Sequence, residues 1–443
     1  MRTVFFGILT LAGMALPLKA VEFDIYGTVY PSIFWSKTER FYDDTVALEI
    51  DTIFTTNDTT LDTTSVDIDS DSIPLYYCTL WPYAKMGFKF NADKIGICVE
   101  IGLGHLGAYE SMINSVGVPV LVVRENMVMH LRKFYAEWFI TDWMTLLIGQ
   151  NDGPACFYTS NQALLGGNSF ANTGALWTGR NAMFQLSFGT NLASGELESG
   201  FLWEAKAAAI KVDSVAVYVQ GKESTFSESK FPKFEGSFGL HYENDFFATG
   251  CELAGGYQQY TLTAQHKDVL KDKGNKVPVN CYVLGADAKV KLGPVIAAYN
   301  FAWGQNLGAY GVYIGNPFVW RGTGRSDVVD IFYPKHEVVL DTNGIPTDDY
   351  ELQNGKAMEM CAILNVKPLD WLSFEGGYGY IHAEHGYAKY DSLWNNTHAY
   401  YGHVQFKIAE ILSVTPEFGQ YLYGHKAGYG RFTYWGFELA VDF

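Results

Sequence analysis

Between Met358 and Lys367 apolar and polar residues trade places at every step, with Met358, Met360, Ala362, Leu364 and Val366 on one side and Glu359, Cys361, Asn365 and Lys367 on the other. A period of two marks a strand with two unlike faces. The pattern recurs over 94–105, where Ile95, Ile97, Val99, Ile101 and Leu103 oppose Cys98 and Glu100, and over 282–292, where Tyr282, Leu284, Ala286, Ala288, Val290 and Leu292 oppose Asp287, Lys289 and Lys291. Alternation alone would also suit a soluble sandwich with one wet face. The connections decide between the two. Tight-turn signals at 91–93, 141–142, 212–214, 293–294, 368–370 and 409–410 take turns, for most of the chain, with long polar segments at 37–74, 107–127, 152–179, 264–277, 305–356 and 386–397. Short joints on one rim and long ones on the other belong to a transmembrane barrel.

Composition fits that fold. The chain carries 29 Tyr, 30 Phe, 11 Trp and 45 Gly against 14 Pro, as expected of a barrel with aromatic girdles. Its first twenty residues, MRTVFFGILTLAGMALPLKA, pair Arg2 with an apolar run from Val4 to Leu16 and end on a small residue. They read as a signal peptide, with the mature chain starting at Val21. Beyond them no stretch of about 18 apolar residues is free of charge, so no segment reads as a spanning helix. Without Arg2 and Lys19 the chain has 29 basic residues against 48 acidic ones, which argues against a nucleic-acid partner. Much of the acidic excess lies in 43–71, inside the segment 37–74, which reads as a solvated extracellular loop. Asp67, Asp69 and Asp71 imitate the start of a calcium loop, but Ser72 stands at the turn glycine and Cys78 at the closing glutamate.

The six cysteines show no CxxC or Cys/His spacing, so no metal or cofactor is indicated. Alternation places Cys98, Cys281 and Cys361 inward and Cys78 and Cys251 outward, which leaves the pairs Cys78/Cys98 and Cys251/Cys281 on opposite faces and unbridged. No spacing among the ten histidines singles out a nucleophile and its base, so the chain reads as non-enzymatic.

The fold expected is all-β: a single transmembrane antiparallel up-and-down barrel spanning 21–443, with short periplasmic turns, long extracellular loops and both termini at the short-turn rim. Seventeen apparent strands can be counted, among them 200–211, 214–222 and 233–243. Closure favours an even number, so the count is sixteen or eighteen, with the conflict between 151 and 263. At the C-terminus Trp435, Phe437, Leu439, Val441 and Phe443 alternate with Gly436, Glu438, Ala440 and Asp442. This strand resembles the C-terminal signal of outer-membrane proteins, which implies that Phe437, Leu439, Val441 and Phe443 are read by the barrel-assembly machinery.

A barrel of this size holds an aqueous channel. The residues expected to line it are Lys85, Lys89, Glu100, Lys133, Glu137, Glu204, Lys206, Glu252, Asp287, Lys289, Glu359, Lys367, Glu375, Lys407 and Glu417. Acidic groups outnumber basic ones, which points to modest cation preference or little selectivity.

The run LRKFYAEWFITDWMTLLIGQND (131–152) resembles the strand pair before the third loop of proteobacterial trimeric porins, including the DcaP-like group. That resemblance implies an outer-membrane porin passing small hydrophilic solutes and ions, open to assembly as a homotrimer, with the segment 153–179 folded inward as a constriction. Tyr158, Asn161, Gln162 and Asn168 would then line the narrowing. The sequence departs from general porins in lacking an acidic cluster in this loop and an arginine ladder facing it, with lysines taking those positions. The alternative is a major surface protein or adhesin acting through its long loops, with outer-membrane lipid as its surroundings in either case.

Overall fold

The computed structural model describes residues 21–41, 75–80, 84–113, 119–157, 160–164, 176, 178–190, 192, 200–212, 216–219, 222–229, 231–244, 246–264, 276–310, 334–340, 346–352, 356–384, 396–425 and 428–443. The expected leader 1–20, most of the acidic segment, Tyr158 and Asn168 lie outside them. Two-residue joints at 93–94, 142–143, 293–294, 370–371 and 410–411 connect neighbouring strands. Asp93 (φ 45°) and Gly293 (φ 53°) sit in the left-handed region that tight hairpins demand, which Asp tolerates and Gly adopts freely.

Sixteen strands close an antiparallel up-and-down barrel. They are β1 (Val21–Val29, continued by Pro31–Phe41), β2 (Leu75–Leu80, continued by Ala84–Ala92), β3 (Ile95–Ile113), β4 (Pro119–Thr141), β5 (Met144–Asp152), β6 (Arg180–Gly189), β7 (Gly200–Ile210, continued by Ala216–Val219) and β8 (Lys222–Glu228, continued by Lys233–Glu243). The second half comprises β9 (Phe247–Ala264), β10 (Lys276–Leu292), β11 (Val295–Gln305), β12 (Lys356–Leu369), β13 (Leu372–Glu384), β14 (Asn396–Ala409), β15 (Leu412–His425) and β16 (Gly428–Asp442). Each pairs with its successor, and β16 closes on β1 from Thr28↔Asp442 to Phe41↔Tyr429. Phe443 and Gly27 exchange both main-chain hydrogen bonds at that seam. Val21 pairs with Ala92 beside the 93–94 joint, so both ends of the described chain lie at the short-turn rim.

Two expectations are corrected. The supposed strand 214–222 is no separate strand: its described residues Ala216–Val219 continue β7 and Lys222 opens β8. Gly200–Ile210 pairs with Lys233–Glu243, Ala216–Val219 pairs with Lys222–Glu228, and both parts of β8 line up along β9. Asp213 and Ser214 have turn chemistry, but the ladder simply resumes beyond them. The segment 107–127 is not a loop either: β3 and β4 stay paired as far as Ile113↔Pro119. With 19 and 23 residues they exceed the roughly 9 to 11 that a bilayer requires, so their ends form a ribbon beyond it. The long segment 305–356 has elements of its own among its described residues. It begins with a 3-10 turn, Leu307–Tyr310, whose Leu307 and Tyr310 are fully buried, and contains a separate hairpin of Pro334–Leu340 with Pro346–Leu352.

The wall is apolar outside. Phe23, Ile25, Phe134, Phe184, Leu253 and Leu284 are all more than half exposed, a density that only hydrocarbon would cover. Trp143, Phe246, Trp371 and Phe443 crowd the short-turn rim, while Tyr257, Tyr299, Trp303, Tyr378 and Tyr400 stand exposed farther up the wall. These are the two aromatic girdles of a membrane barrel.

Five cysteines have described side chains, and all are free thiols: Cys251 is exposed, Cys98, Cys281 and Cys361 are buried, and Cys156 lies between β5 and β6. Packing around Cys156, with the nearby Glu235 carboxylate, pushes its thiol up to about 12, so it stays protonated at neutral pH. In the folded barrel a membrane-soluble maleimide should therefore label Cys251 and spare these four. Peptide mapping that found Cys281 modified as fast as Cys251 would show β9 or β10 to be out of phase.

Candidate functional site

The segment after β5 is tied to strands on the far side of the barrel. Ala155 donates its N–H to Glu235 Oε2 of β8 at 3.1 Å, and Phe157 packs against Gly285 of β10. Asn161 gives both its N–H (2.8 Å) and its side-chain amide (2.6 Å) to Glu375 of β13. Ala163 and Leu164 donate their N–H groups to the two oxygens of Glu417 on β15, at 2.6 and 3.1 Å. Gln162 donates to Tyr434 Oη of β16 at 2.7 Å and to Tyr421 Oη of β15 at 3.2 Å. Thr178 then returns the chain to β6, again by way of Glu235. In a sixteen-stranded closed ring β13 and β14 lie opposite β5 and β6. A segment that leaves β5, touches β8, β13, β15 and β16 and returns to β6 therefore crosses the bore.

The anchoring carboxylates are themselves held. Lys233 Nζ lies 2.8 Å from Glu235, Asn365 donates to Glu375 at 2.8 Å, Tyr401 Oη also bonds Glu375, and Tyr434 Oη donates to Glu417 at 2.9 Å. Apolar packing fills the space around them. Ala155, Phe157 and Leu176 join Leu307, Tyr310 and inward residues of β9–β13 in one buried cluster, and Leu164 joins Tyr401, Tyr421, Phe432 and Tyr434 in another. Water is thus excluded from the inner face of much of β8–β16.

The opposite wall is charged. Glu100 of β3 accepts from Arg132 Nε at 2.7 Å and from Tyr26 Oη at 3.0 Å. The β3–β4 register runs Glu100↔Lys133 and then Ile101↔Leu131, so Arg132 is an extra residue in a bulge. The bulge turns Arg132 and Lys133 to the same side, with Leu131 and Phe134 exposed outside. Gly102 makes room for it, since a Cβ there would stand 2.4 Å from the His130 ring and 2.8 Å from Arg132. Lys133 Nζ reaches Asp152 at 3.0 Å, and Arg180 Nε reaches the same carboxylate at 3.2 Å. Lys85 lies within electrostatic reach of Glu100, Arg132, Lys133 and Arg180. Four cations and two carboxylates thus meet where the bridging segment leaves and rejoins the wall.

No protein-family model and no curated protein matches the sequence. Solved structures do match the fold. The outer-membrane channel DcaP of Acinetobacter baumannii superposes with a TM-score of 0.59 at 12% identity, over 96% of this chain and 98% of that one. OmpF of Salmonella typhi, in a complex with daunomycin, gives 0.50 at 11% identity, over 95% and 97%. The chain has a porin-like outer-membrane barrel fold.

Within this porin-like barrel the fifteen residues expected along the lumen fall into three sets. Lys85, Lys89, Lys133, Glu137, Glu204, Lys206, Glu252 and Asp287 are inward on their ladders and at least partly exposed. Lys289, Lys367 and Lys407 are exposed near the short turns. Glu100, Glu359, Glu375 and Glu417 are inward but sealed, at 3%, 0%, 4% and 4% exposure, which corrects the expectation that they face an open channel. Glu375 and Glu417 hold the crossing segment, and Glu100 holds Arg132. Asn161 and Gln162 face these wall residues and not a shared wet surface. Phe437 is outward and 41% exposed, Leu439 and Val441 are half-buried, and Phe443 ends the seam. Sequence reasoning missed Glu235, Arg132, Asp152 and Arg180 as site residues. The alternation of β8 could have revealed Glu235, whereas the bulge that aims Arg132 has no signature in alternation. Among the described residues no group of three His, Cys, Asp or Glu is placed to hold a metal ion.

Proposed function

We propose that the chain is a non-enzymatic passive diffusion channel for small hydrophilic solutes and ions, in which residues 153–179 form the constriction and water follows the β1–β7 side of the bore. The observation that carries this reading is the crossing segment, hydrogen-bonded to Glu375 and Glu417 on the far wall. It leaves Lys85, Arg132, Lys133 and Arg180, against Glu100 and Asp152, beside the remaining passage, a local excess of two positive charges. Selectivity follows the charge at the narrowest level and not the total, so this channel prefers anions despite the chain's formal charge of −17. This reading differs from the modest cation preference or little selectivity expected from counting wall residues.

Reconstitution in planar bilayers under a potassium chloride gradient tests both parts. Steady conductance with a reversal potential on the chloride side is expected, and reversal on the potassium side would remove the anion assignment. A folded barrel that conducts nothing would remove the channel. The same reading takes 1–20 as a cleaved leader, the C-terminal strand as the segment handed to the assembly machinery, and a homotrimer as the assembly, which light scattering with lipid mass subtracted would count.

A further inference from the structure

The passage has an acidic edge as well as a basic one. Thr28 of β1 is the ladder partner of Asp442 on β16 and of Lys85 on β2, so the three share one row of the inner wall. With neighbouring strands about 4.8 Å apart, the main chains of Asp442 and Lys85 stand about 10 Å from each other across β1. Glu438 faces inward on the same strand as Asp442, where it pairs with Ser32 and Thr415. It lies one inward position nearer the short turns than Gly436, the partner of Glu417, which pins the crossing segment. Asp442 is exposed, whereas Glu438 is only 7% exposed. Among the described residues neither carboxylate has a hydrogen bond or a cation partner, and the charges within reach of Glu438 are Glu417 and Asp442, both of its own sign. A carboxylate so enclosed, beside like charges alone, is stabilised when a cation joins it. The phenol of Tyr30 links the two edges, for Glu438 and Asp442 lie within its electrostatic reach on one side and Arg132 on the other.

We infer that this strip of wall, from Asp442 and Glu438 past Thr28 and Tyr30 to Lys85 and Arg132, binds small zwitterions, with α-amino acids as the solute class. The inference rests on the channel reading above and names what the channel holds. The solute's ammonium group goes to Asp442 and Glu438, and its carboxylate to Lys85 beside Arg132. A simple anion is drawn to the basic edge and leaves the two acids as they were. A simple cation meets the acids but is repelled by Lys85, Arg132, Lys133 and Arg180. A dicarboxylate would set one of its own charges against Glu438. A solute with one charge of each sign matches both edges at once. Because Asp442 and Lys85 are so close along the row, those two charges must lie close together in the solute, as in an α-amino acid with a charge-assisted bond of about 2.8 Å at either end.

The test uses the full barrel in a planar bilayer carrying chloride current, with alanine, N-acetylalanine and alaninamide added in turn at neutral pH. Alanine has no net charge, so its occupancy shows as a saturable fall in chloride conductance. It should reach half its effect at a concentration several-fold lower than either analogue, each of which keeps one charge. In Asp442→Asn/Glu438→Gln alanine should lose that advantage and fall behind N-acetylalanine, while the reversal potential moves further to the chloride side. If the double variant does not assemble, Asp442→Asn alone, at the exposed end of the row, should shrink the advantage, and an unchanged advantage there would overturn the proposal. So would a wild-type barrel that N-acetylalanine blocks at the same or a lower concentration than alanine, a result that strikes the zwitterion site and leaves the chloride channel standing. A folded barrel without any current would remove the channel reading, and the site with it.

Discussion

Deleting residues 160–172 should raise single-channel conductance several-fold and admit larger neutral solutes, while the barrel keeps its heat resistance. The deleted stretch includes Asn161, Ala163 and Leu164, the described residues of the crossing segment that bond Glu375 and Glu417. With it gone, the bore is limited by the wall alone. A gentler variant separates pinning from presence. Glu375→Ala/Glu417→Ala keeps the segment but removes the acceptors of three main-chain N–H groups, each a charge-assisted bond worth about 1.5–3 kcal/mol. Its expected trace is noisy, with levels between the wild type and the deletion, because the segment is still inside but no longer held. Unchanged conductance in both folded variants would place the constriction elsewhere, and the assignment of residues 153–179 would be withdrawn.

Much of the barrel is legible in the sequence for one physical reason: lipid outside and polar or packed side chains inside impose a strict period of two. That is why Lys85, Lys89, Glu100, Glu252 and Asp287 could be assigned to the inner face from spacing alone, and Cys251 and Cys281 to opposite faces. The period fails where the ladder is irregular. In 200–243 the interruptions at 211–215 and 229–232 look like turns to a local reading, because continuity of β7 and β8 is decided by pairing with β9 and not by composition. The bulge at Arg132 hides a lumen residue at a position that simple alternation assigns outward. Nor does alternation report depth. Glu375 and Glu417 face inward and so look wet in the sequence, but whether an inward carboxylate meets water or main-chain N–H groups depends on a segment more than two hundred residues away. The ribbon of β3 and β4 looks like a loop in the sequence because a strand beyond the bilayer no longer needs an apolar face.

Removing either member of the Glu100–Arg132 pair should cost stability, yet the two losses should move selectivity in opposite directions. Their side chains are 4% and 8% exposed and 2.7 Å apart. Breaking such a pair by removing one partner costs about 3–5 kcal/mol, because the remaining charge is left without its counterion in a poorly solvated place. Glu100→Gln is the harsher change. It leaves Arg132 near Lys85, Lys133 and Arg180 with one nearby carboxylate fewer, while Asp152 still pairs with Lys133 and Arg180. Arg132→Met leaves a carboxylate that still has Lys85 nearby and the hydroxyl of Tyr26 at 3.0 Å. Heat-modifiability on gels should therefore show both variants unfolding at lower temperature, Glu100→Gln lowest, with the double variant recovering much of the loss. In the bilayer the local charge becomes more positive in Glu100→Gln and less positive in Arg132→Met. The first should strengthen anion preference and the second weaken it, even though both destabilise the protein. If both substitutions shift the reversal potential the same way, the change reflects a distorted barrel, and the cluster at β2, β4 and β6 does not set the selectivity of the passage.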